Sequence, residues 1–199
     1  MGTELQAILL AGLNQLDLTL SEKNQKQLID YVQLLHQWNQ TQNLTAIASP
    51  KAMMDRHILD SLALVAHIHE NHCLDVGSGA GLPGLPLAIA CPKKTLFLLE
   101  ARLKRVVFLR HCVATLALPN VVVLHTRLED YSPEPGHAAV VARAFCPPKD
   151  YLKRVGHVLA PQGCAYLQVG EQTKQADLQQ GEWRDLEGTR GGLWIVKST

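Results

Sequence analysis

Apolar residues recur along the chain with two different periods. From Glu4 to about Ile68 the period is helical: Leu5, Ile8, Leu9, Leu13 and Leu16 share one face, and Leu28, Ile29, Val32, Leu35 and Trp38 share another. Ser21 stands where the second helix needs an N-cap. Ser49 before Pro50 opens a third amphipathic run through Met53, His57, Ile58, Leu62, Val65 and Ile68. Beyond residue 70 short apolar runs alternate with helical ones: CLDV, LPGLPLAIA, TLFLLE, a helix near 102–117, VVVLH, AAVVA, a helix near 148–159, CAYLQV and LWIVK. That alternation predicts right-handed β-α-β units and a mostly parallel sheet covered on both faces. The last runs leave no room for a helix between them, so an antiparallel edge strand is expected. The chain therefore reads as α/β, with a helical extension over 1–70 and a sheet domain over 71–199 forming one compact unit. YSPEPGH at 131–137 is the one obvious loose loop.

The first strand runs into LDVGSGAGLPGLP at 74–86, a loop at the carboxyl end of the sheet, where such folds bind ligands. Glycines there let a ligand approach the backbone, and the helix that follows offers free N–H donors. Gly77, Gly79 and Gly81 have the spacing of an S-adenosylmethionine loop; Gly79, Gly81 and Gly84 have that of a dinucleotide loop. Glu100 ends the next strand, nineteen residues past Gly81, where a carboxylate accepts ribose hydroxyls from either cofactor. Asp75 leans towards the sulfonium cofactor, as an acid that engages its amino group or organises the loop. So do Pro83 and Pro86, which stiffen the passage into the helix. No second nucleotide-binding half and no Lys/Tyr proton relay follow; an NAD(P)-linked oxidoreductase, which would use the same loop and Glu100, stays the first alternative.

Composition adds bounds. The 199 residues suffice for one full core, at 47% hydrophobic and a mean hydropathy near zero. No apolar run reaches the roughly 20 residues that span a bilayer, and the first residues carry neither a basic region nor a cleavage site, so a cytoplasmic location is expected. Five scattered cysteines without a CxxC pair fit reduced thiols, not a metal site. His67, His69 and His72 straddle a helix end without a fourth ligand, so no metal is expected. The net charge of +1 conceals an asymmetry: residues 1–70 carry −3, and residues 101–160 carry +5. A basic face on a near-neutral body can collect phosphates, which leaves a non-catalytic RNA-binding module as a second alternative.

Six stretches occur in one order: NLTAI at 43–47, RHILDSL at 56–62, DVGSGAGLPGLPLAI at 75–89, KRVVFLR at 104–110, RLED at 127–130 and ARAF at 142–145. Together they resemble the glucose-inhibited division protein B family, the bacterial 16S rRNA guanine-N7 methyltransferases, over roughly residues 20–170. The resemblance implies a Rossmann-like class I fold, S-adenosyl-L-methionine as cofactor, and methyl transfer to one guanine in the decoding-region loop of 16S rRNA. The partner it implies is that RNA, within the small ribosomal subunit, with no membrane and no obligate protein partner. Carried over by motif, Gly77 and Leu82 line the methionine side of the cofactor, Leu128 and Glu129 lie beside the adenine, and Arg143 faces cofactor and target base. Asn43 and His57 match family positions in the helical cap, and Lys104 is the phosphate candidate at the start of its helix. Asp60 reads as an i, i+4 partner of Arg56. The place where amine methylases carry N/D-P-P-Y/F reads RAFCPPK, and Cys146 precedes the prolines, so neither an amine grip nor a cysteine nucleophile is expected. Where the family usually has a lysine before glycine in the strand near 165–170, this chain has Val169, and Arg190 resembles an arginine near the family's last strand.

Overall fold

The structure, a computed structural model, describes residues 2–170, 173, 181–186, 188, 189 and 191–198. Helices α1 (Gly2–Gln15) and α2 (Glu22–Gln42) follow the two apolar faces of the first forty residues. Ser21 caps α2 as expected, its side chain accepting from Asn24 N–H, and Ser49 does the same for Ala52 N–H at the start of α3 (Pro50–Met53). The third run is not one α-helix to Ile68. It passes from α3 into a π-helical segment, Met54–Leu59, then into α4 (Asp60–Leu62), and breaks into turns. In the π segment Met54, His57, Ile58 and Leu59 are buried.

The sheet domain follows as β1 (His72–Val76), α5 (Gly84–Ala90), β2 (Thr95–Glu100), α6 (Leu103–Thr115), β3 (Val121–His125), β4 (His137–Arg143), α7 (Pro148–Val155), β5 (Leu159–Gly170), β6 (Glu182–Asp185) and β7 (Gly191–Lys197). The strand order is β3-β2-β1-β4-β5-β7-β6. Strands β3, β2, β1, β4 and β5 pair in parallel, and β7 runs antiparallel to both β5 and β6. The antiparallel strand is therefore present, but the short β6 lies outside it and forms the edge. Its four residues, EWRD, are mostly exposed and give no apolar run to read. The 131–137 loop is tied at its ends, where Tyr131 Oη and His137 Nε2 lie 2.9 Å apart.

One buried cluster joins the extension to the sheet: Leu5, Leu9, Leu28, Met53, Ile58 and Leu62 pack with Leu85, Leu98, Phe108 and Val141. Each fully buried leucine of this kind contributes about 1.5–3 kcal/mol. Polar contacts cross the same boundary. Tyr31 Oη donates to the Ala80 carbonyl at 2.6 Å, inside the glycine loop, and Gln27 Nε2 donates to the Leu116 carbonyl at 2.7 Å. A second cluster covers the other face, where Tyr151, Val155 and Val158 pack on Leu74, Val140, Ala165 and Leu167.

Candidate active site

The carboxyl ends of β1, β2, β3 and β4 surround a cleft of about 390 Å³ lined by Gly77, Glu100, Arg105, Leu128, Glu129 and Phe145. The glycine loop sets its floor. Gly77, Gly79 and Gly81 all adopt positive φ, +69°, +58° and +91°, a region that side chains disfavour. Gly84 does not. It opens α5 against β1 and β2, where a Cβ would stand 2.6 Å from Asp75 Oδ2 and 2.2 Å from Leu98 Cδ2. The left-handed positions are thus those of the 77-79-81 spacing. An antiparallel β7 inside the sheet also departs from the all-parallel order of dinucleotide-binding sheets.

Asp75 lies under this loop, fully buried, and accepts Gly84 N–H at 3.0 Å. Burial raises its carboxyl from 3.8 to about 7, against the pull of that N–H. Through Oδ2 Asp75 organises the loop, while its Oδ1 is buried without a hydrogen-bond partner among the described residues. Glu100 faces the cleft. One oxygen accepts Gly79 N–H at 3.0 Å, the other accepts Arg102 N–H at 2.8 Å, and Arg105 Nη1 stands 3.5 Å from the first. A carboxylate offers about four lone-pair sites, so after these three contacts Glu100 keeps capacity for one ribose hydroxyl. Across the cleft Arg154 donates to Glu129 Oε1 at 2.6 Å, which lowers the Glu129 carboxyl, and its guanidinium lies 4.4 Å from the centre of the Phe145 ring. Glycine floor, a free lone pair on Glu100 and an apolar wall from Leu128 suit S-adenosyl-L-methionine.

Five of the six cofactor candidates gather here, four of them on the cleft wall and Arg143 next to it. Leu82 is the exception: it sits half-buried against the main core, off the wall of this cleft. Arg105 and Phe145, which fall within KRVVFLR and ARAF, and Arg154 line the cleft although none of them was a site candidate. The signal for Arg105 was its place five residues after Glu100, in the first turn of α6.

A second cleft of about 380 Å³ adjoins the first at Ala144 and is lined by Asp60, Arg143, Cys146, Gln168, Val169 and Thr189. Arg143 bridges sheet and cap. Its Nη2 donates to the Arg56 carbonyl at 2.9 Å and stands 3.4 Å from His57 Nδ1 and 3.8 Å from Asp60 Oδ2. Asp60, read as a partner for Arg56, therefore reaches across to β4. His57 is buried, with Nε2 at 2.7 Å from Thr45 Oγ1. Burial and then the Arg143 guanidinium pull its imidazole from 6.5 down to about 4, so it is neutral at physiological pH. Burial also pushes up the Cys146 thiol, which is no ready nucleophile.

The remaining candidates lie further out. Asn43 is exposed and ends α2 in the left-handed conformation at φ 49°, its N–H donating to the Asn39 carbonyl. Lys104 is exposed in the first turn of α6, between Arg102 and Arg105 of the cleft wall. Arg190 lies outside the described residues.

The fold resembles that of known methyltransferases. A SAM-dependent methyltransferase from Aquifex aeolicus superposes with a TM-score of 0.55 at 15% identity, over 74% of this chain and 93% of that one. A predicted O-methyltransferase from Agrobacterium tumefaciens gives 0.56 at 17% identity, over 70% of this chain and 81% of that one. Sequence similarity is much closer to proteins named "Ribosomal RNA small subunit methyltransferase G". That of Alteromonas mediterranea is 44% identical over 89% of this chain and 83% of its own length. That of Aeromonas hydrophila is 40% identical over 84% and 78% respectively. The GidB family, described as rRNA small subunit methyltransferase G, matches residues 24–185, and the chain belongs to it.

Proposed function

We propose that this chain transfers a methyl group from S-adenosyl-L-methionine to N7 of one guanine in the decoding-region loop of bacterial 16S rRNA, in the cytoplasm and within the small subunit. The observation that carries this reading is the pair of adjoining clefts at the carboxyl end of the sheet, in a chain of this family. The first cleft offers Gly77, Glu100, Leu128 and Glu129 to the cofactor, which when bound supplies an electrophilic methyl. The second has room for a base turned out of its stack.

Guanine N7 bears an in-plane lone pair and no proton, so its methylation needs no general base. The side chains around the second cleft fit that requirement. His57 is sealed between Thr45 and Arg143 and stays neutral, and the Asp60 carboxylate faces Arg143. What these residues supply is alignment of two reactants, which can account for most of an acceleration. Arg143, holding β4 to the π segment, sets the distance between the clefts. Asn43 and His57 shape the cap that faces the RNA, and Lys104 meets its phosphates.

Nucleoside analysis of 16S rRNA from cells with and without the chain tests the proposal. One 7-methylguanine should appear only with the chain, at a position labile to mild alkaline cleavage. Methyl on an exocyclic amine, on carbon or on ribose would overturn it.

A further inference from the structure

The second cleft holds two polar atoms that fold-internal bonding does not account for. Arg143 Nη1 and Gln168 Oε1 are shut off from solvent and have no hydrogen-bond partner among the described residues, each other included. Buried polar atoms are nearly always satisfied, because leaving one unmade costs its full desolvation. Two such atoms, one a donor and one an acceptor, on two residues that line one cleft are groups that a ligand entering it can satisfy once the side chains shift to uncover them.

The orientation of the Gln168 amide is fixed. Its Nε2 donates to the Asp60 carbonyl at 2.8 Å, so the nitrogen must face the cap and the oxygen must face away from it. Arg143 and Gln168 are register partners on β4 and β5, so their side chains leave the same face of the sheet side by side. Both also grip cap carbonyls, Arg143 at Arg56 and Gln168 at Asp60. Each residue thus spends one end on the cap and keeps one polar atom unpaired.

We propose that Arg143 and Gln168 read the target base: Arg143 Nη1 donates to guanine O6, and Gln168 Oε1 accepts from guanine N1–H. This rests on the reading above, that guanine N7 is methylated. The order of the sheet matches the order along the edge of the base. The cofactor cleft lies over β1 and β2, Arg143 ends β4 and Gln168 lies on β5, while N7, O6 and N1–H follow one another around guanine. With N7 turned to the first cleft, O6 comes opposite Arg143 and N1–H opposite Gln168. Adenine presents an amine donor where Arg143 donates and a bare ring nitrogen where Gln168 accepts, so both contacts fail. A site built to bond a group rejects the analogue that lacks it far more strongly than a merely apolar pocket does.

The test compares single-turnover rates on 16S rRNA carrying guanine, inosine or 2-aminopurine at the target position, in whichever form, naked or assembled, the wild-type chain methylates. Each rate is scaled by the reactivity of that base towards a free methylating agent. Inosine keeps O6 and N1–H and should react within about threefold of guanine; 2-aminopurine keeps N7 but lacks both groups and should lose roughly 100-fold or more. Gln168→Leu should lose roughly 10- to 100-fold on guanine, match the wild type on 2-aminopurine, and bind S-adenosylhomocysteine unchanged in calorimetry. Wild-type tolerance of 2-aminopurine would overturn the proposal without help from any variant. So would a Gln168→Leu defect equal on both bases, because that is the mark of a brace to Asp60 alone. Failure of the wild-type chain to methylate guanine N7 at all would overturn the underlying reading as well, and is told apart by the unmodified RNA.

Discussion

Gly77 and Gly79 share the left-handed conformation but differ in what surrounds them. A Cβ on Gly77 would stand 2.7 Å from the Phe145 ring, whereas on Gly79 no atom comes nearer than 3.7 Å. Gly79→Ala therefore suffers backbone strain alone, about 1–2 kcal/mol. It should fold, with S-adenosylhomocysteine binding weakened at least tenfold in calorimetry because the new methyl enters the ligand's space. Gly77→Val adds the ring clash to the strain and should lower the unfolding midpoint further. Unchanged affinity in both variants would remove the loop from the cofactor site. His57 makes a prediction about pH. The unfolded chain protonates this imidazole below about 6.5 and the folded chain only near 4, so stability is full above 6.5 and falls as pH drops through that window. The fall amounts to about 3 kcal/mol for this group. Gln in its place cannot titrate, so urea midpoints at pH 7.5 and 4.5 should differ less for His57→Gln than for the wild type. An equal difference would mean that His57 is protonated in the fold.

At the scale of elements, α6 carries the basic face towards the cofactor cleft. Its first turn exposes Lys104 with Arg102, and neutralising RNA phosphates there releases counterions. Lys104→Ala should weaken RNA binding and flatten the dependence of affinity on salt by roughly one unit of logarithmic slope, with cofactor affinity unchanged. A wild-type slope would make Lys104 an ordinary solvated residue. Much of this architecture was legible in the chain. Period and capping residues placed α1, α2, α5, α6 and the five parallel strands, because apolar spacing and backbone hydrogen bonding agree there. The π segment was not legible: Met53, His57, Ile58 and Leu62 suit an α-helix equally well, and the difference lies in the backbone hydrogen bonding. Around the cleft, Gly77 and Glu100 stood at recognisable offsets from strand ends, whereas Leu128 and Glu129 came only with the family resemblance of RLED. Gln168 did not, since its place beside Arg143 depends on the β4–β5 register, which one sequence does not disclose.

For the molecule as a whole, the absence of a proton on guanine N7 should appear in the kinetics. Above the pH range of acid unfolding, the single-turnover rate should stay nearly flat until guanine N1 itself deprotonates. A rate rising tenfold per pH unit below some side chain's pKa would mean that a general base acts after all.

The cluster shared by the extension and the sheet also constrains how the chain comes into being. Across the boundary α2, which carries Leu28, packs on α5 and α6 and α4 packs on α5, while α1 packs on α2, α3 and the π segment; β1 has β4 as one of its two neighbours in the sheet. At synthesis rates of about 5–20 residues per second, the interval between residue 70 and the end of β4 at residue 143 is roughly 4–15 s. Early in that interval the faces of α2 and α4 that pack on α5 and α6 are uncovered, because the surface they are to cover does not yet exist. A nascent chain stalled before residue 143 should therefore expose apolar surface and an unpaired β1 edge, and should aggregate more readily in a translation-arrest assay than one released after β4.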